Sequence, residues 1–154
     1  MKNMVLTGLL CVFLLGMGFQ AFGQANPNMP SWVREVPPAD VKWGIGYGKL
    51  INIPNSMNYA EFCARMDLAR QILAQIRGMI TDYSGTSNQP DKLDDFDYEC
   101  LAQEFSFEFG NDVRVVRRSV EPDGSNWCRV ELNRAGHAKY YDLGLKMIQK
   151  YSSN

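Results

Sequence analysis

The stretch from Asn58 to Thr81 constrains the fold most. Its apolar side chains, Tyr59, Phe62, Met66, Ala69, Leu73, Ile76 and Ile80, recur in steps of three and four, which places them along one side of an α-helix. Glu61, Arg65, Asp67, Gln71, Gln75 and Arg77 occupy the opposite, water-facing side. Ser56 or Asn58 is positioned to cap the start by accepting an orphan backbone N–H. No proline interrupts the stretch. A helix with one oily flank needs a partner layer, and burying each large side chain contributes about 1.5–3 kcal/mol.

The strand signals supply that layer. Val41 to Ile51 alternates: Val41, Trp43, Ile45 and Tyr47 point one way, Lys42, Gly44, Gly46 and Gly48 the other, which predicts a strand. Its Gly-x-Gly-x-Gly run is no phosphate cradle, because several residues including Pro54 separate it from the helix. A bare glycine face instead lets another backbone approach closely. Two further strands are expected at 112–121 and 126–132, joined by the turn Pro122-Asp123-Gly124-Ser125.

Between long helix and hairpin, a polar loop is expected over 83–89 and a second helix over 91–107, although Phe105, Phe107 and Phe109 also alternate as a strand would. Asp94, Asp95, Asp97 and Glu99 suit a helix start and lack the glycine turn and terminal glutamate of a calcium loop. A terminal helix is expected from Gly136 to Lys150, needing a partner surface. Strand, long helix, helix, strand, strand, helix gives an α+β two-layer domain over 41–151: a small antiparallel sheet packed by one long helix and two shorter ones.

The chain's start carries an address. Lys2 precedes an apolar run to Phe19, and Ala21-Phe22-Gly23 suits cleavage before Gln24, so residues 1–23 read as a secretory signal peptide. Leu9 and Leu10 stand where a lipobox needs a small residue before Cys11, which argues against lipidation. The expectation is an exported chain, periplasmic, in the cell envelope or secreted, with no transmembrane span after cleavage. Residues 24–40 hold four prolines and form an extended segment, with Trp32 and Val33 tucked onto the domain. The whole sequence has net charge −1, which offers nucleic acid no attraction.

Chemistry-bearing residues are sparse. His137 is the sole histidine and has no ligand set spaced around it, so it reads as a surface residue. There is no GxSxG, HExxH or CxxC motif, and neither catalytic residues, a cofactor nor a metal site is expected. An exported chain meets oxidising conditions: Cys63–Cys128 is the first choice for a disulfide among Cys63, Cys100 and Cys128, beside three buried free thiols acting as small apolar groups. Arg114, Arg117, Arg118 and Arg129 make the hairpin positive, which keeps a strand soluble or serves an anion or glycan. Trp43 and Tyr47, joined by Trp127, form an aromatic face that needs a cover: the C-terminal helix, a second protomer or a ligand. Self-association through this face is expected, with envelope proteins as further partners.

Several of these pieces carry a resemblance: Pro30-Ser31-Trp32-Val33, Gly44-Ile45-Gly46-Tyr47-Gly48, the pattern Ala60, Ala64, Ala69-Arg70, Leu73, Ala74, Ile76, and the run from Gly110 to Leu132. Over residues 30–133 the chain resembles the LPP20 family of bacterial envelope proteins and the related N-terminal domain of the flagellar assembly protein FlgT. The resemblance implies an exported α/β domain without known catalysis, and it supplies no catalytic residues. Many such proteins look like lipoproteins, and the missing lipobox sets this chain apart. The expected function is that of a non-enzymatic envelope or secreted interaction protein. The alternative is a small-ligand carrier or enzyme using the Trp43/Tyr47 face.

Overall fold

The computed structural model describes residues 29–84 and 93–152. Residues 1–28, which include the expected signal peptide, and residues 85–92 and 153–154 lie outside them. A 3-10 turn (Ser31–Arg34) is followed by β1 (Val41–Gly48), α1 (Ile53–Ser84), α2 (Asp95–Glu108), β2 (Val113–Val120), β3 (Asn126–Asn133) and α3 (Arg134–Ser152). The three strands form an antiparallel sheet in the order β1-β3-β2, and α1 packs across it. The architecture is the expected α+β two-layer one.

The contact between β1 and α1 decides the layer spacing. A Cβ placed on Gly44, Gly46 or Gly48 would collide with the backbone carbonyls of Ala64, Ala60 and Ser56 respectively. The glycine face therefore serves close backbone approach. On the helix the matching seam is Ser56, Ala60, Ala64 and Leu68, all fully buried or nearly so and spaced by four. This rotates the buried side of α1 relative to the expected stripe. Met66, Ala69, Leu73 and Ile76 are buried, but Tyr59 and Phe62 are half-buried and Ile80 is exposed. Small residues at the seam outrank larger ones because only they allow the glycine strand to come near.

The start of α1 also differs from the expected cap. Asn52 Oδ1 accepts the Asn55 N–H at 2.9 Å, and Pro54 sits in the first turn, where its missing N–H costs nothing. Ser56 Oγ instead accepts the Leu50 N–H at 2.8 Å and donates to the Asn52 carbonyl. At the other end α1 continues through Tyr83 and Ser84, residues assigned to a loop from the sequence.

β1 is an edge strand, and α1 closes that edge. Asp67 Oδ2 accepts the Ile45 N–H at 2.9 Å, and Gln71 Nε2 donates to the Trp43 carbonyl at 3.0 Å. Such plugs discourage pairing with another chain. Burial raises the Asp67 pKa despite donation to its carboxylate from the Ile45 N–H and, at 3.0 Å, from Gln71 Nε2.

Residues 105–109 are helical up to Glu108, not a strand. Phe105 and Phe109, four apart, are fully buried, whereas Phe107 faces water. Asp94 caps α2 by accepting the Asp97 N–H at 2.8 Å, which is the role its acidic cluster plays here. Phe105 and Phe109 meet the Tyr140 ring edge-on, and the Tyr140 hydroxyl donates to the Phe109 carbonyl at 3.0 Å. α3 thereby docks on α1 and α2, where Gly144 leaves room for Ile76, Leu73 and Phe105. His137 is half-buried, its Nε2 3.4 Å from the Leu132 carbonyl.

Candidate functional site

Alternation along the strands sends Trp43, Ile45 and Tyr47 of β1 and Trp127, Arg129 and Glu131 of β3 to the side of the sheet away from α1. The register sets Tyr47 opposite Trp127, Ile45 opposite Arg129 and Trp43 opposite Glu131. A β-bulge between Val115 and Arg117 shifts β2 so that Arg117 pairs with Arg129 and Ser119 with Trp127; bulges commonly re-aim side chains in this way. The three aromatics expected to share a surface are thus brought together: Tyr47 and Trp127 have ring centroids 4.9 Å apart, and Trp43 Nε1 donates to Glu131 at 3.2 Å.

Arg129 lies at the centre of this face and is only 3% exposed. Burying a guanidinium is costly unless it is paired. Its Cζ sits over two rings, 3.8 Å from the Trp43 centroid and 5.1 Å from that of Trp32, and aromatic faces attract a cation. Nη1 donates to Glu35 at 2.9 Å, and Nη2 donates to the Trp32 carbonyl. Arg117 reaches the same Glu35 at 3.6 Å and stands 5.5 Å from the Trp32 ring. Two cations side by side on adjacent strands repel, and one carboxylate between them offsets this.

Part of the outer face, around Arg129, is covered by Trp32 and Glu35 of the N-terminal arm and not by the C-terminal helix, which packs on α1 and α2. Trp32 is 5% exposed, Trp127 likewise, and Trp43 and Tyr47 remain half-exposed. The cover is imperfect in one respect. Trp127 Nε1, Arg129 Nε and Ser119 Oγ are buried and, among the described residues, have no hydrogen-bond partner, an unusual state for buried polar atoms.

The hairpin arginines divide by face. Arg118 pairs with Glu61 of α1 and Arg114 with Glu131 at 2.9 Å, leaving Arg117 and Arg129 to the arm. Reading Arg129 as part of the aromatic face was open to sequence reasoning, since it lies two residues from Trp127. Glu35 had no such signal, because nothing in a prolyl segment fixes where it docks.

The Cys63–Cys128 bridge is not formed: Cys63 and Cys128 are free thiols, and no disulfide involves Cys100. Cys63 lies near Tyr59 and Arg70, whereas Cys128 lies near Arg118, Glu61 and Arg65, so the two face different sides of α1. Burial raises the Cys63 pKa and pushes that of Cys128 up to about 11, making both poor nucleophiles at neutral pH.

Two grooves lie elsewhere. Ile76, Met79, Ile80, Tyr141 and Leu145 line an apolar one of about 360 Å³ between α1 and α3, and a polar one of about 340 Å³ runs between Asp112, Glu131 and Lys139. Among the described residues no helix is long and apolar enough to cross a membrane, and no three potential metal ligands cluster.

Comparison with family models, curated proteins and solved structures finds no match.

Proposed function

We propose that this chain is an exported, non-enzymatic interaction protein of the cell envelope or the secreted fraction, resembling LPP20-family proteins, and that it engages other proteins through the outer face of its sheet. One observation carries the reading. The face concentrates Trp43, Tyr47, Trp127 and Arg129, and aromatic residues with arginine are the side chains enriched where proteins bind one another. The signal-like N-terminus supports export. A carrier would enclose its ligand in a concave apolar pocket, and Arg129, buried against Trp43 and Trp32, fills the middle of this face.

The test is site-specific photo-crosslinking in cells, with a benzophenone side chain at Tyr47 and, as control, at exposed Lys150. Discrete heavier adducts from position 47 alone, in the envelope or secreted fraction, are expected. Adducts to no protein, together with a small metabolite that saturably quenches tryptophan fluorescence, would replace the proposal with the carrier reading.

A further inference from the structure

We infer that the outer sheet face is a binding site for an acidic, aromatic-bearing segment of a partner polypeptide, and that the chain's own residues 31–35 occupy it as a displaceable lid. The inference rests on the interaction function proposed above and adds the chemistry of the partner.

Trp32 and Glu35 display the recognition chemistry. An aromatic ring lies against the Arg129 guanidinium, and three residues later a carboxylate meets Arg129 at 2.9 Å and Arg117 at 3.6 Å. Bringing two arginines to one carboxylate creates a positive focus that an acidic segment matches by charge. The lid answers that focus incompletely. Glu35 is half-exposed, with 49% of its side chain open to water, while Trp127 Nε1 and Arg129 Nε, on residues more than nine-tenths buried, have no acceptor among the described residues. Ser119 Oγ, opposite Trp127, is in the same position. Three unanswered polar groups beside a positive focus call for a segment richer in acceptors than the lid.

The lid is also built to leave. Its only regular structure is the four-residue turn Ser31–Arg34, and Pro30, Pro37 and Pro38 flank it. Proline in the connecting chain removes N–H donors, so Val36–Asp40 has fewer groups with which to pair to the sheet. Detaching residues 31–35 leaves the glycine seam between β1 and α1 untouched.

The test titrates the full chain, as wild type and as Trp32→Ala, with a fluorescein-labelled peptide of sequence MPSWVREVPP (residues 29–38), read by anisotropy. The expected result is binding at least tenfold tighter to Trp32→Ala than to wild type, weakened at least fivefold when the peptide's glutamate is replaced by glutamine, and weakened by salt. If Trp32→Ala fails to fold, Glu35→Gln, which alters a half-exposed carboxylate, takes its place with an expected gain of about threefold. Equal affinity for wild type and variant, or indifference to the glutamate, overturns the site. Concentration-dependent dimers of the wild type that Trp32→Ala abolishes would assign the face to a second copy and overturn the partner reading. Crosslinks from position 47 without peptide binding would refute this chemistry while leaving the interaction function standing.

Discussion

On one side of β1, Gly44, Gly46 and Gly48 meet the α1 backbone with no side chain between them. On the other, Trp43, Ile45 and Tyr47 project from the same strand towards a short arm held by Trp32 and Glu35. The first contact runs the length of a strand against a 32-residue helix, and its side-chain polar groups, Ser56, Asp67 and Gln71, are hydrogen-bonded. The second depends on one buried cation, two tryptophans and a half-exposed carboxylate. Close packing of small groups tolerates almost no change in shape, whereas an arm pinned at a few points opens when one of them is lost. The fold and the proposed function are thus assigned to opposite faces of one strand.

The sharpest way to break this contrast is Gly46→Val. The new side chain runs into the Ala60 carbonyl and Ala64 N–H region, where backbone and not a flexible side chain must move. A loss of about 3 kcal/mol or more, or failure to fold, is expected in urea denaturation. Leu73→Ala, at a fully buried position under α3, should cost about 2–5 kcal/mol in the same assay.

Changes on the arm side should be smaller and local. Arg129→Met removes the pairing with Glu35 and the donation to the Trp32 carbonyl, at an expected cost of about 1–2 kcal/mol. Trypsin should then cleave after exposed Arg34 faster than in the wild type, with the rest of the chain resistant. Smaller still, Asp67→Ala uncaps the Ile45 N–H at the sheet edge, costing about 1 kcal/mol.

The thiols give a pH test of the helix-facing layer. The Cys128 pKa rises from an ordinary 9.0 to about 11, so between these values the unfolded chain loses a proton that the folded chain keeps. Stability contributed by this thiol is full below about pH 9 and declines up to about pH 11. A Cys128→Ala variant should lose less stability across that window than the wild type. At pH 8 a disulfide reagent should leave Cys128 unmodified until the protein is denatured.

Much of this was legible in the sequence, for identifiable reasons. Alternation in 41–48 and 126–132 reports a two-sided sheet directly. The bare glycine face announced a close backbone neighbour, and Gly124, with φ +79°, fits the turn read between β2 and β3. The buried side of α1 was harder. Hydrophobicity ranks Phe62 and Ile80 above Ala60 and Ala64, yet proximity to glycine reverses the order, and that proximity is a tertiary fact. The helix start was placed too late because Ser56 and Asn58 are also good cap residues, whereas Asn52 is the one that caps it. The aromatic members of the candidate site were readable from strand period. Its cover was not: the arm and α3 both offered aromatic side chains, and only docking in three dimensions decides between them.

Hydrogen exchange followed by mass spectrometry on wild type and Trp32→Ala tests the division of labour most directly. Amides of 31–36 should exchange much faster in the variant, while those of α1 from Ala60 to Leu73 keep their wild-type protection. If α1 loses protection in step with the arm, arm and core form one cooperative unit, and the lid is part of the fold.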